Sequence, residues 1–480
     1  MAFRSTSFAV SVLVAGLALV SGLAPAARSP ERADPAIQRT DIEVCVAALA
    51  SDEMQGRATG TPECERAGEW LGAALKRAGV AAAGDDGTYF QKVPFARVEY
   101  GSIPTLTAWS RSKPRELASG VDFTFLGGVP AKKQRLRVVV VKGADDLPKK
   151  PDAKVALFLD GKSRERGEWL GEGGGAGFGL IVSPGAEGPG KKADSAPPRS
   201  RDIVGSMQRD TTAKLQANGE LLAGLRDGSI EALELECEAN LRELPAFNVI
   251  GRIAGVGTPE RPELAQQAIV FSAHYDHIGV DTRNAAGEGV DLIRNGADDD
   301  ASGCAAVLEL AEAFAAGPPP ARTLIFFFAT GEEIGLVGTH HYINHPLVPL
   351  DRTVLNLNFE MIGRPDDLVG GAGKLWLTGF ERSNLGAEFQ RLGLAIENDG
   401  RPEQNFFKRS DNYAFAVKGV VAQTLSSYNL HRDYHQVSDE PQTLDYAHME
   451  ACVRAAFEGS KALAEGRIDP VWLEGQNPKR

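Results

Sequence analysis

Cysteine, histidine and basic charge are all scarce in this chain, and each shortage narrows what it can do. Five cysteines occur in 480 residues, at positions 45, 64, 237, 304 and 452. They are widely scattered and odd in number, which argues against a disulfide framework and leaves at least one thiol unpaired within the molecule. Lys+Arg 52 against Asp+Glu 64 gives a net charge of −12, and an acidic chain lacks the basic surface that a nucleic-acid partner needs. Beyond the first 26 residues no run is long and apolar enough to span a bilayer. The eight histidines all fall between His274 and His448, so more than half of the chain contains none.

The N-terminus carries a three-part pattern. Arg4 precedes an apolar stretch from Phe8 to Leu23, and Ala24-Pro25-Ala26 supplies a small-residue cleavage site. This is the form of a secretory signal, and it predicts a secreted or periplasmic product with no stable membrane insertion after cleavage. An uncleaved anchor is the competing reading, because the apolar run approaches a spanning length. No cysteine ends the run, so it offers no site for a lipid anchor.

The length fits two domains rather than one. Residues 41–80 read as helical, with Ala67, Leu71, Leu75 and Ala78 forming an apolar stripe at helical spacing and Gly79 closing it. From about Tyr100 to Cys237 short β-rich runs alternate with glycine, proline and charge, and the stretch from Ser183 to Asp202 reads as a mobile loop. This middle part holds no constellation for chemistry. From Phe247 onward strands and helices alternate: Ala268–Ala273, a helix over Ala301–Ala316 with Cys304 as a small buried hydrophobe, Thr323–Ala329, Val354–Phe359 and Gly419–Leu425. The predicted class is α/β, a mostly parallel central sheet flanked by helices with a small β-rich insert. The predicted division is a signal over 1–26, a first part of the main domain over 27–98, the insert over 99–243, the main domain over 244–466 and a tail over 467–480.

Ligands of open α/β sheets bind beyond the carboxyl ends of the strands. Ala268–Ala273 runs directly into His274, Thr323–Ala329 leads through Thr330-Gly331 to Glu332-Glu333, and Val354–Phe359 ends at Glu360. Three strands thus deliver metal-competent side chains to one edge. His274 stands in AHYDH (273–277), with Asp276 placed two residues on to accept the N–H of a metal-bound imidazole; His277 reads as a loop residue. The helix after GADDDASG (296–303) opens with three carboxylates that repel one another unless a cation sits among them, although aspartate also caps helices. In the Glu332-Glu333 pair one carboxylate can bind metal while the other stays free for proton transfer. His435, in YHQVSD (434–439), completes five potential ligands with His274, Asp299, Glu333 and Glu360, and the set points to a two-metal hydrolase. His340, His341, His345, His431 and His448 lack this context and read as surface or packing residues.

The order His…Asp…Glu-Glu…Glu…His resembles metallopeptidase family 28, a family that includes secreted bacterial leucyl-type aminopeptidases, glutamate carboxypeptidase and the transferrin receptor ectodomain. The resemblance covers residues 41–98 and 245–465. It extends to GRATGTPE (56–63), NVIG (248–251), NFEMIG (358–363) and Ser410-Asp411, and the middle part resembles the protease-associated domain inserted in such enzymes. The resemblance implies two zinc ions per chain, one held by His274 and Glu360, the other by Glu333 and His435. It implies that Asp299 bridges them and is joined to Asp300 by a cis peptide. Glu332 would be the general base acting on a metal-bridging water, Tyr434 a hydrogen-bond donor to the substrate carbonyl, and Asp411 a support for the ligands. The chain departs from the common pattern at Glu360, where aspartate is more usual. The implied activity is that of an aminopeptidase acting on peptides with a free N-terminus. Carboxypeptidase or dipeptidase action, a single-zinc transferase of the glutaminyl-cyclase kind and a non-catalytic binding ectodomain are the alternatives.

Overall fold

The computed structural model describes residues 37–478, apart from 131–132, 161–168, 171–174, 191, 193, 195, 199–200, 205–211 and 282–289. The segment expected to act as an export signal lies outside the described residues. No helix among the described residues is long and apolar enough to cross a membrane.

The main body is a nine-stranded sheet. Its strands are β1 (Ala81–Ala82), β2 (Phe90–Lys92), β3 (Phe247–Ile253), β4 (Ala268–His274), β5 (Thr323–Ala329), β6 (Thr353–Phe359), β7 (Leu375–Leu377), β8 (Ile396–Asn398) and β9 (Val421–Ser426). The order across the sheet is β1-β3-β5-β4-β6-β9-β7-β8, with β2 also paired to β3. The four central strands β5, β4, β6 and β9 are parallel, while β3 and β7 join them antiparallel. Because β5 lies on one side of β4 and β6 on the other, the chain reverses its winding at β4. The crevice this opens at the carboxyl ends of the strands is where such sheets take ligands.

Uniformly apolar strands lie at the centre because both faces are covered. Alternate side chains point to opposite faces, so Ile269, Phe271 and Ala273 of β4 join one core while Ala268 and Val270 join the other. The first core is closed by helices α1 (Arg39–Leu49), α2 (Pro62–Ala78), α3 (Gly303–Ala316) and α5 (Tyr446–Ala464). The second is closed by α4 (Val337–Asn344) and the short helix Asn412–Ala416. Ile468 is buried and the Trp472 indole N–H donates to the Gly419 carbonyl at 3.2 Å, so the last turn of chain is docked on this body.

The expectation of one helical stretch over 41–80 needs correction. α1 ends at Leu49, a tight turn over 52–57 follows, and α2 begins at Pro62, with Thr61 accepting from the Cys64 N–H and Gly79 in the left-handed conformation at its end. Gly56 has φ +66°, and a Cβ there would lie 2.3 Å from the Arg294 carbonyl oxygen, so the turn admits only glycine. Next to it Arg57 is wholly buried and donates to the carbonyls of Leu49, Tyr275, Asn295 and Gly296. Burying a guanidinium costs several kcal/mol unless its donors are satisfied, and these four acceptors draw α1, the end of β4 and the loop before α3 together.

Residues 105–236 form a separate eight-stranded mixed sheet with its own apolar core around Phe123, Phe158, Leu180 and Leu233. A three-stranded sheet of Phe95–Tyr100, Arg201–Val204 and Ala239–Glu243 stands where the chain enters and leaves this part. Arg201 and Asp202 therefore belong to a strand rather than to a mobile loop.

Candidate metal centre

The carboxyl ends of β4, β5 and β6 converge on the turn before α3. That turn, Ala297–Ser302, is a widened helical turn, and the Asp299–Asp300 peptide within it is cis. Its backbone is tied down by carboxylates. Asp439 accepts from the Asp298 and Asp299 N–H groups at 3.0–3.1 Å. Asp300 accepts from the backbone N–H of His274 (3.3 Å), Gly303 (3.1 Å) and Met361 (3.0 Å), linking β4, α3 and the end of β6. Asp298 accepts from the Gly363 N–H at 2.7 Å and meets His431 Nε2 at 3.0 Å. Two of the three adjacent aspartates thus act on the backbone, which leaves the Asp299 carboxylate to face the crevice.

Asp299 divides its oxygens between two groups. Oδ1 lies 3.2 Å from His274 Nε2, which is 3.5 Å from Glu360 Oε1. Oδ2 lies 3.1 Å from His435 Nε2, which is 3.3 Å from Glu333 Oε2. All five expected ligands are therefore brought together, with Asp299 in the middle. Donor atoms around a tetrahedral zinc at 2.0–2.1 Å are about 3.3 Å apart, so both groups have the spacing of ligands rather than of mutual partners. His274 Nε2 and Glu333 Oε1 are buried with no hydrogen-bond partner in the protein, which is costly for isolated polar atoms and is resolved by a cation. The residues fit divalent metal.

The second oxygen of Glu360 is held by the Ser410 hydroxyl, which in turn accepts from Asn358 Nδ2 at 2.9 Å. This contact anchors the longer glutamate arm at the position where aspartate is more usual. Asp276 departs from expectation. The partner of His274 Nδ1 is the backbone carbonyl of Asp276 at 3.1 Å, whereas its carboxylate is 3.8 Å away. That carboxylate instead accepts from Thr59 Oγ1 at 2.8 Å and from the Glu332 N–H at 3.1 Å. Two residues beyond His274 the chain has already turned, which brings the carbonyl and not the side chain to the ring. Cys304 is buried as expected, and its thiol also donates to the His274 carbonyl at 3.1 Å.

Burial pushes the Glu332 carboxyl well up, reinforced by the charges of Glu360, Asp411 and Glu333 and opposed by His274. Its neighbour Glu333 is held below the usual range against burial and the Asp299 charge, by contacts with His277 and His435. Adjacent carboxyls with opposed tendencies are the arrangement that separates a proton carrier from a ligand. Asp411 is buried with neither carboxylate oxygen paired and is raised to about 7, chiefly by burial. Tyr434 stacks on His435 with ring centroids 3.8 Å apart and lines, with Glu360, Met361, Trp376, Phe406 and Tyr428, a small cleft beside the centre.

One histidine is placed differently from the sequence reading. His277 is buried against Glu333 and Asp299 rather than lying free in a loop. The signal available for it was only its spacing of three residues from His274, which on an extended or turning chain does not define a face. His431, read as a surface or packing residue, packs on Asp298 inside the site's support.

A parallel sheet thus delivers histidines and carboxylates around one shared aspartate, in groups that could hold metal. The model of Peptidase family M28 matches residues 248–459. It is 41% identical over 85 residues to Leupeptin-inactivating enzyme 1 of Streptomyces exfoliatus, covering 17% of this chain and 19% of that one. It is 31% identical over 159 residues to Aminopeptidase YwaD of Bacillus subtilis, covering 32% and 31%. The chain thus spans less than a third of the length of these curated relatives. Among solved structures, an aminopeptidase from Aneurinibacillus sp. strain AM-1 overlays 89% of this chain and 94% of its own with a TM-score of 0.47 and 18% identity.

Proposed function

We propose that the chain is a zinc-dependent aminopeptidase that hydrolyses the first peptide bond of substrates with a free N-terminus. The observation that carries this reading is the Asp299 carboxylate, with one oxygen beside His274 and the other beside His435. His274 and Glu360 would hold one zinc, Glu333 and His435 the other, and Asp299 both; imidazole and carboxylate donors suit this metal. The match to the Peptidase family M28 model over 248–459 and the likeness to an aminopeptidase support the same reading.

Bound there, the cations supply Lewis-acid polarisation of the scissile carbonyl and ease the deprotonation of water. Glu332 takes a proton from the attacking water and hands it to the leaving amine, a role that its pinned backbone N–H serves. Tyr434, beside His435 at the mouth of the cleft, donates a hydrogen bond to the carbonyl oxygen of the scissile bond. Asp300, through the His274 backbone N–H, and the Asp276 carbonyl orient the end of β4 and the imidazole of His274, and Asp411 adds a buried carboxyl behind the centre. The reading includes export directed by residues 1–26, to the periplasm or the medium, and residues 99–243 as an inserted unit of the protease-associated kind. The presence of His274 and Glu360 beside Asp299 favours two cations over a single-zinc transferase.

A panel of aminoacyl chromogenic substrates, with matched N-acetylated and C-terminally blocked peptides, tests the proposal. Cleavage that is lost in chelator, restored by zinc and blocked by N-acetylation is expected. Equal cleavage of acetylated peptides, or activity indifferent to chelator, would sink it.

A further inference from the structure

The second cation position has one more donor than the five-ligand set uses. His277 follows β4 by three residues, and its backbone N–H donates to the Arg57 carbonyl at 3.2 Å, so it is fixed to the same buried turn that organises the centre. The residue is 1% exposed. Its Nδ1 lies 2.8 Å from Glu333 Oε1 and 3.8 Å from Asp299 Oδ2, yet neither ring nitrogen is in hydrogen-bonding geometry with any partner. Burying a polar group unpaired is costly, and a histidine kept only for packing would not recover that cost. His435 reaches the same two carboxylates from another direction, with the two imidazole rings 5.7 Å apart at 75°. The contacts among His277, His435, Asp299 and Glu333, 2.8 to 3.8 Å, bracket the separation of about 3.3 Å expected for donors around one tetrahedral zinc.

We propose that His277 is a fourth protein ligand of the second cation, joining His435, Glu333 and Asp299. This rests on the two-cation reading above. Its consequence is an asymmetry between the two positions. The His277 position then has four protein donors and takes water only by expanding to five-coordinate, whereas three donors leave a tetrahedral position open. The position of His274, Asp299 and Glu360 is then the open and more labile one, and that of His277 is the retained one.

The full chain is loaded with zinc, equilibrated against chelators of graded strength, and its metal counted by atomic absorption. The wild type is expected to release two zinc ions in separate steps, and His277→Ala to weaken the tighter step by at least about tenfold. A variant that holds both ions with unchanged affinity overturns the inference and leaves the two-cation reading standing. A wild type that binds no zinc overturns both. Because His277 is buried and the variant can fail to fold, a second measurement uses the wild type alone. In the cobalt-substituted protein three paramagnetically shifted, exchangeable imidazole N–H protons are expected from His274, His277 and His435, and two such signals would overturn the inference.

Discussion

Glu332→Gln is expected to lower turnover by about 10²–10⁴ while zinc content stays at the wild-type level. The amide keeps the size and neutral hydrogen bonding of a protonated carboxyl but cannot take a proton from water. The neighbouring Glu333 cannot substitute, because its oxygens lie against His277 and His435. Steady-state kinetics and metal analysis on the same preparation check this. If activity and zinc fall together, Glu332 is a ligand and the division of roles between the two adjacent glutamates is wrong. A loss confined to KM would assign Glu332 to substrate binding instead.

Asp299→Ala is expected to have the broadest effect of any single substitution in the centre. It removes a donor from both groups at once, so the affinity for zinc should fall at both positions, with activity lost beyond the level of Glu332→Gln. Glu360→Ala, by contrast, should empty only the position beside His274, because Glu360 lies near His274 and not near His435. An Asp299→Ala chain in which only one of the two zinc affinities falls would mean that this carboxylate serves a single position and is not shared.

Much of this arrangement was legible in the sequence because burial on both faces makes a strand uniformly apolar and its end conspicuous. The runs ending at His274, Glu332-Glu333 and Glu360 are β4, β5 and β6, and the side chains that follow them meet. Contacts set by chain geometry were less visible. The role of the Asp276 carbonyl depends on a turn of two residues, which spacing alone assigns equally well to the carboxylate. His277 sits in no strand and on no helix, so no periodicity marks it. The buried Arg57 breaks the usual rule that charge lies outside, and its glycine-bracketed turn was masked by the helical patterns on either side. The hold of Ser410 on Glu360 spans 50 residues and belongs to the tertiary fold, which is why the glutamate at that position looked like a departure rather than a supported ligand.

X-ray diffraction from crystals of the zinc-loaded protein, with anomalous differences collected at the zinc edge, tests the central claim most directly. Two peaks are predicted, one between His274 and Glu360, the other between Glu333 and His435, with the Asp299 carboxylate between them. A single peak away from Asp299, or none while these five side chains keep their places, would contradict the account.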